Sequence, residues 1–273
     1  MAMTNGLRTY TMSAGNERFN TMAAAWDNNP NVHQASERAL QAILKYRPDL
    51  AEAKTSGRAS SQGLQVLEIG CGTGLLTLRL APFVRSIVAV DAAKGMIDAL
   101  TQKLARDDWS SVRDRVVPLC LVLEDPEDPA LPAGSSSDGT PTRRKFDLVI
   151  SHLVLHHIGD HKTLLKMLFG SLASGGQVAL TDYENTGPAS RRFHPESKMD
   201  GVEHPLGIHA DTFAALMKEA GFVDVIVEPE WSMEKTVESV PGEWNTGKPK
   251  QTDGMKRQDF PFLLCRGTKP HRG

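Results

Sequence analysis

Residues 66–76 read Val66-Leu67-Glu68-Ile69-Gly70-Cys71-Gly72-Thr73-Gly74-Leu75-Leu76, and no other stretch limits the fold so tightly. The apolar run predicts a buried strand, three glycines at alternate positions predict a tight loop, and the leucines that follow open a helix. Glycine permits positive φ and lets backbone N–H groups approach a ligand that a Cβ would block. A dinucleotide loop needs G-x-G-x-x-G, with its third glycine placed for helix–strand packing and the pyrophosphate on the helix N-terminus. Here the spacing is Gly70-x-Gly72-x-Gly74, one residue shorter, and Glu68 stands two positions before the first glycine. That acid repels a pyrophosphate and suits a cation, such as the amino group of an amino acid. A second apolar run, 86–90, ends at Asp91, whose carboxylate can accept both hydroxyls of a ribose. Together they predict a pocket for an adenosine joined to an amino acid, without phosphates.

Residues 66–91 resemble the cofactor motif of class I S-adenosylmethionine (SAM) methyltransferases, E-x-G-x-G-x-G followed by a strand ending in Asp. The resemblance implies an α/β fold: a Rossmann-like, seven-stranded, mostly parallel sheet with helices on both faces, its last two strands an antiparallel pair. Periodicity alone gives only an alternating α/β domain. The resemblance also implies SAM as cofactor and S-adenosyl-L-homocysteine (SAH) as product. It places Glu68, Gly70, Cys71, Gly72, Thr73 and Gly74 around the amino-acid end, and Asp91 and Ala92 at the ribose. By the same resemblance Met96 lies against the adenine, a contact that suits a polarizable thioether, core filling being the other reading. Leu123 and Glu124, after a third strand over 116–123, are candidates to read the adenine amino group.

The chain is 273 residues long, 40% hydrophobic and 23% charged, enough for one sizeable core. Its 31 basic and 33 acidic side chains give a formal charge of −2, which implies no general attraction to nucleic acid. Cys71, Cys120 and Cys265 are odd in number and lack C-x-x-C spacing, so neither a disulfide framework nor a zinc site is indicated. With no apolar run of membrane-spanning length, the expectation is a cytoplasmic protein acting on a small molecule, without membrane or nucleic-acid partners. A monomer is the slightly favoured state. Residues 1–14 read as a flexible start and 15–273 as one methyltransferase domain, with cap segments over 15–46 and 183–209 and a mobile insertion over 125–144.

Before the glycine loop, Phe19-x-x-x-Ala23-x-x-Trp26-Asp27 resembles the opening of the UbiE/COQ5-like methyltransferases, in which this segment folds over the cofactor. Trp26 and Asp27 are therefore lid candidates, Trp26 at the cofactor and the substrate or else as a packing anchor. Residues 31–46 show helical spacing, stopped at Pro48, and a polar linker is expected over 52–63. Thr73 is expected near the helix start as a cap. A long polar excursion is expected over 230–259, and Asp211 is expected to cap the last helix.

The fourth strand, 146–150, ends at Ser151, and Ser151-His152-Leu153-Val154-Leu155-His156-His157-Ile158-Gly159-Asp160 resembles the family's S-x-x-x-L-H-H-x-x-D version of its fourth motif. Its carboxyl end should point into the same crevice as the glycine loop, with Ser151 at the cofactor. Four histidines within ten residues raise a metal site, but His156 and His157 are adjacent and no carboxylate or cysteine cluster completes a shell, so no metal is expected. His152 and His156 are the candidate catalytic and substrate-lining residues, one of which can instead be a satisfied structural histidine. Phe193, in the cap, and His204, from a partial match to the family's H-x-G-F segment, are substrate-side candidates.

A sulfonium is already activated toward displacement, so such a protein chiefly aligns atoms. A thiol acceptor needs only modest help from a histidine. The N-terminal and L-H-H-x-x-D motifs resemble fungal enzymes that S-methylate reduced epidithiodiketopiperazines such as dithiol gliotoxin. C- or O-methylation of a quinol, polyketide or other small metabolite is the alternative. A SAM-binding regulatory or partner protein without turnover is the alternative of another class.

Overall fold

The computed structural model describes residues 14–135, 139–246 and 256–271. Apart from its last residue, the segment expected to form a flexible start lies outside them. Helix α1 (Ala14–Trp26) is followed by α2 (Pro30–Tyr46), whose N-cap Asn29 accepts from the Asn31 N–H with its side chain. Pro48 opens a helix instead of ending the ordered chain: α3 (Pro48–Thr55) begins on it, because a proline at the first helical position forfeits no intrahelical hydrogen bond. The expected linker over 52–63 is mostly α3 and the short α4 (Ala59–Gln62), held by buried Leu50 and Ala59.

The crossovers then repeat. Strand β1 (Gln65–Ile69) leads to α5 (Leu75–Leu80), β2 (Ser86–Asp91) to α6 (Lys94–Leu104), and β3 (Val116–Cys120) stops three residues earlier than expected. The insertion over 125–144 is partly built. A hairpin of β4 (Ala133–Ser135) and β5 (Pro141–Arg143) is anchored by buried Leu131 and a Lys145–Glu127 ion pair. Strand β6 (Phe146–His152) precedes α7 (His161–Ser171), which runs into β7 (Leu172–Tyr183). After the cap come α8 (Ala210–Glu219), β8 (Val223–Thr236) and β9 (Arg257–Thr268). His209, not Asp211, is the N-cap of α8, its ring accepting from the Thr212 N–H.

The sheet order is β3-β2-β1-β6-β7-β9-β8, with β9 antiparallel to both its neighbours and the other pairings parallel. The expected seven-stranded architecture is therefore present. Both ends of the expected polar excursion, 230–236 and 257–259, are strand, because β8 is an edge strand that alternates: Met233 faces the interior while Glu234 and its ion-pair partner Arg257 face water. One face of the sheet is covered by α2, α5 and α6 through Ile43, Leu80 and Leu100, all fully buried. The other is covered by α7 and α8 through Leu165, Leu168, Phe213 and Met217. Loss of the Phe213 ring to alanine would cost about 3–5 kcal/mol.

The register positions the site. Ile69, the last residue of β1, lies opposite Val90 on β2 and Ser151 on β6. The glycine loop, Asp91 and the histidine-bearing turn after His152 therefore leave the sheet side by side at its carboxyl edge. That edge is where ligands bind in open parallel sheets.

Candidate active site

Gly70, Gly72 and Gly74 all have positive φ, at 68°, 54° and 83°, but they serve different neighbours. A Cβ on Gly70 would stand 2.2 Å from a Val154 methyl, and one on Gly74 would stand 2.3 Å from a Leu100 methyl. Those two glycines admit packing side chains. Only Gly72 opens on free space, with no heavy atom within 4 Å of a Cβ placed there. The expectation that all three clear room for a ligand narrows to Gly72. Cys71 is buried, with its N–H donating to the Val90 carbonyl, and burial pushes its thiol well above the usual range.

Asp91 stands at the crest of β2. Its two carboxylate oxygens accept from the N–H groups of Gly72 and Ala93, each at 2.8 Å, which bind the loop to the second crossover. Burial raises its pKa and those two N–H groups oppose the rise. Ala92 lies between these contacts, its carbonyl 3.9 Å from the Cys120 sulfur.

Glu68 is not placed as expected. Its side chain is 2% exposed and accepts from the Thr77 hydroxyl of α5 at 2.6 Å. Burial pushes its pKa up to about 8, so the carboxyl is largely protonated at neutral pH. It anchors α5 to β1, and a direct contact with an amino group would require the Thr77 bond to open.

Helix α1 forms a strap over the loop. The Thr73 hydroxyl does not cap α5, whose N-cap is Gly74; it donates to Asp27 at 2.5 Å, and the other Asp27 oxygen pairs with Lys103. Asn20 accepts from the Gly95 N–H, while Ala23, Phe19 and Trp26 pack with Ala93 and Met96. Met96 is 2% exposed, so it meets α1 first. At the other end of α1, Arg18 donates to the carbonyls of Lys198 and Asp200, tying strap to cap. Leu123 is buried in the core beneath the sheet edge and Glu124 is exposed.

The histidines form a layer between β6, β7 and the cap. Asp182 is fully buried on β7. Burial raises its pKa, but His156 and the N–H groups of His156 and Tyr183 outweigh that and hold the carboxyl below its usual range. As an acceptor only, the ionised carboxylate takes the Nδ1–H of His156, 2.9 Å from both oxygens. His156 Nε2 is in turn 3.1 Å from His194 Nε2. Both ring nitrogens of His156 are thus engaged. Burial depresses His157 to about 4 and His194 well below its ordinary value. Phe193 stacks on Tyr183 at 4.0 Å and closes the layer from the cap side.

His152 stands apart. Its Nδ1 is 2.8 Å from the Thr181 hydroxyl, which also lies 3.2 Å from the Ser151 carbonyl. The Ser151 hydroxyl itself donates to the Ile69 carbonyl at 3.0 Å, joining β6 to β1. His204 turns away from this region: its Nε2–H donates to the Ile158 carbonyl and its ring stacks on His161 at 4.3 Å.

The strap, loop, Asp91, Ser151, His152, His156 and Phe193 are thus gathered at one edge, whereas Leu123 packs in the core, Glu124 faces solvent and the His204 ring meets Ile158 and His161. Asp182, Thr181 and His194 carry the layer and had no role in the sequence reading. An acid closing the buried run 178–181 was the available signal for Asp182. Lys235, whose ammonium donates to the Phe193 carbonyl and which burial lowers to about 7, lies on a strand that the sequence disguised.

Residues 32–227 match the family described as a methyltransferase domain, so the chain belongs to that family. An uncharacterized methyltransferase of Schizosaccharomyces pombe is 27% identical over 161 residues, 58% of this chain and 53% of that protein. The malonyl-[acyl-carrier protein] O-methyltransferase of Priestia megaterium is 27% identical over 171 residues, 62% of this chain and 51% of that protein. The chain thus spans about half the length of these curated relatives. A SAM-dependent methyltransferase structure from Thermotoga maritima covers 93% of this chain and 99% of its own, with a TM-score of 0.53. At 17% identity that likeness speaks for the fold alone. Membership of that family implies SAM as the methyl donor and SAH as the product.

The residues present suit that cofactor. Asp91 keeps acceptor capacity beyond its two backbone bonds, Gly72 leaves backbone open to a ligand, and Trp26, Phe19 and Met96 supply an apolar wall.

Proposed function

We propose that this chain transfers the methyl group of SAM to the thiol of an uncharged small molecule, with the two thiols of a reduced epidithiodiketopiperazine such as dithiol gliotoxin as the substrate to test first. The observation that carries the reading is the register of Ile69 against Val90 and Ser151, which brings glycine loop, Asp91 and His152 to one crest. Bound there, SAM would supply a methyl carbon already activated by a sulfonium.

Asp91 would hold the ribose hydroxyls, the Gly72 backbone the amino-acid end, and Met96 and Trp26 the adenine side. The α1 strap excludes water. His152 and the histidine layer beside it present neutral imidazoles: His152 and His157 are held near 4 by burial, so at pH 7 they offer lone pairs rather than charge. Such a wall favours an uncharged acceptor, and a thiol, with an ordinary pKa of about 8.5, asks least of it. The likeness to a malonyl-[acyl-carrier protein] O-methyltransferase favours an oxygen acceptor as the second reading.

The test is incubation with SAM and either dithiol gliotoxin, a quinol or an amine, followed by mass spectrometry of the products. S-methylated dithiol supports the first reading and O- or C-methylated quinol the second. Tight SAH binding with no product from any acceptor points to a binding protein without turnover.

A further inference from the structure

Among the described residues, the buried side-chain atoms with no hydrogen-bond partner include Nε2 of His152 and Nε1 of Trp231. Leaving a buried polar atom unpaired is costly, so each calls for an explanation. They share a surface. Thr181 lies opposite His152, and two residues on, Tyr183 lies opposite Phe262, which lies opposite Trp231. By strand alternation these side chains stand on one face of the sheet. The Phe262 ring lies between the other two, its centroid 6.4 Å from His152 and 5.0 Å from Trp231, on which it stacks.

The Thr181 hydroxyl has one hydrogen and two neighbours, His152 Nδ1 at 2.8 Å and the Ser151 carbonyl at 3.2 Å. Placed on the Ser151 carbonyl, that hydrogen leaves the oxygen to accept from His152, with the ring proton on Nδ1 and a bare lone pair at Nε2. Trp231 Nε1 can only donate. Immediately after His152, Leu153 is held at φ 57°, a left-handed conformation that strains a non-glycine residue and concentrates at functional sites. The Leu153 N–H is fixed to the Thr181 carbonyl at 2.8 Å, so the same strand that sets the tautomer also holds the strained turn.

We propose that His152, and not His156, is the histidine that touches the methyl acceptor, receiving the hydrogen of its S–H or O–H at Nε2, while Trp231 Nε1 donates to a carbonyl or hydroxyl oxygen of the same molecule across Phe262. This rests on the methyltransferase reading and deepens it. The substrate class is an uncharged, flat-sided molecule with one donor at the reacting atom and one acceptor oxygen at a distance. Both nitrogens of His156 are already engaged, by Asp182 and His194, so its part is to position the layer. As the acceptor's electron pair bonds to the methyl carbon, the carbon–sulfur pair remains with the donor sulfur. The acceptor proton moves to Nε2, and the positive charge ends on the imidazolium. An imidazole held near 4 by burial is too weak a base to ionise a resting thiol. It suffices for an atom whose acidity rises as the new bond forms.

The decisive readout is the tautomer, measured on the protein itself by nitrogen-15 NMR of its histidine rings. Nδ1–H with a bare Nε2 is expected between pH 5 and 8; Nε2–H, or a charged ring at pH 7, overturns the assignment whatever the protein methylates. Thr181→Val should release the ring to a mixture of tautomers. With SAH present, the Nε2 resonance should move on addition of whichever of dithiol gliotoxin or quinol the enzyme methylates; an unmoved resonance contradicts the contact. In turnover, His152→Phe should lower kcat/KM by about 100-fold or more, and His152→Gln, which keeps an acceptor near Nε2, should recover about tenfold of that. Trp231→Phe should raise KM and leave kcat close to its original value. Failure of the wild type to bind SAH would sink the methyltransferase reading separately, without touching the tautomer result.

Discussion

Asp91 is the residue on which cofactor affinity should depend most directly. Its carboxylate oxygens already accept two backbone N–H groups and keep room for ribose hydroxyls. Asp91→Asn should weaken SAH binding by about 1–3 kcal/mol, the range for hydrogen bonds to a charged acceptor. Thermal unfolding of the variant without ligand separates that loss from loosening of the loop, and an unchanged affinity by calorimetry would move the ribose elsewhere. Glu68 makes a different prediction. Its folded pKa, near 8, lies above its ordinary 4.5, so between those values the folded chain binds the extra proton and stability falls as pH rises. Relative to wild type, Glu68→Gln should therefore gain stability from pH 5 to 8, by up to about 1.4 kcal/mol per pH unit. A variant that loses ground over that range would mean Glu68 is charged when folded. The motif revealed that Glu68 matters, but not that its partner is Thr77, because hydrogen-bond partners nine residues apart depend on how helix packs on strand. His152 and His156 were singled out from sequence as a pair. Only the surroundings, Thr181 for one and Asp182 with His194 for the other, divide their work.

At the scale of elements, α1 and the turn that ends it join three parts of the site through Asp27 on Thr73 and Lys103, Asn20 on Gly95, and Arg18 on the cap. Asp27→Ala should cost about 1–2 kcal/mol of stability by leaving Thr73 without its acceptor and Lys103 without its ion pair. It should also speed SAH dissociation, measured by stopped-flow fluorescence of Trp26; an unchanged dissociation rate would show that α1 does not gate the site. Sequence periodicity gave α2, the alternating crossovers and the strands around the glycine loop, because these are apolar and buried. It failed where the physical signal was weak. Pro48 opens a helix as readily as it ends one, His209 caps where Asp211 was the stronger candidate, and β8 alternates charged residues with a few buried ones in the manner of a loop.

For the molecule as a whole, the buried histidines set the response to acid. The folded pKa values of His152 and His157 lie near 4, against an ordinary 6.5, so between those values the unfolded chain binds more protons. Stability should fall as pH drops through that window and be regained above it, opposite in sign to the Glu68 contribution. Denaturant midpoints from pH 4 to 7 check this, and His157→Gln should flatten the slope on the acid side; a slope unchanged by that substitution would show that His157 is not buried neutral. No helix among the described residues is long and apolar enough to cross a membrane. The most direct test of the central claim is calorimetric titration with SAH. The arrangement of loop, Asp91 and strap predicts saturable binding of one SAH per chain, weakened at least about fivefold in Asp91→Asn. No binding, or equal binding by the two proteins, would contradict it.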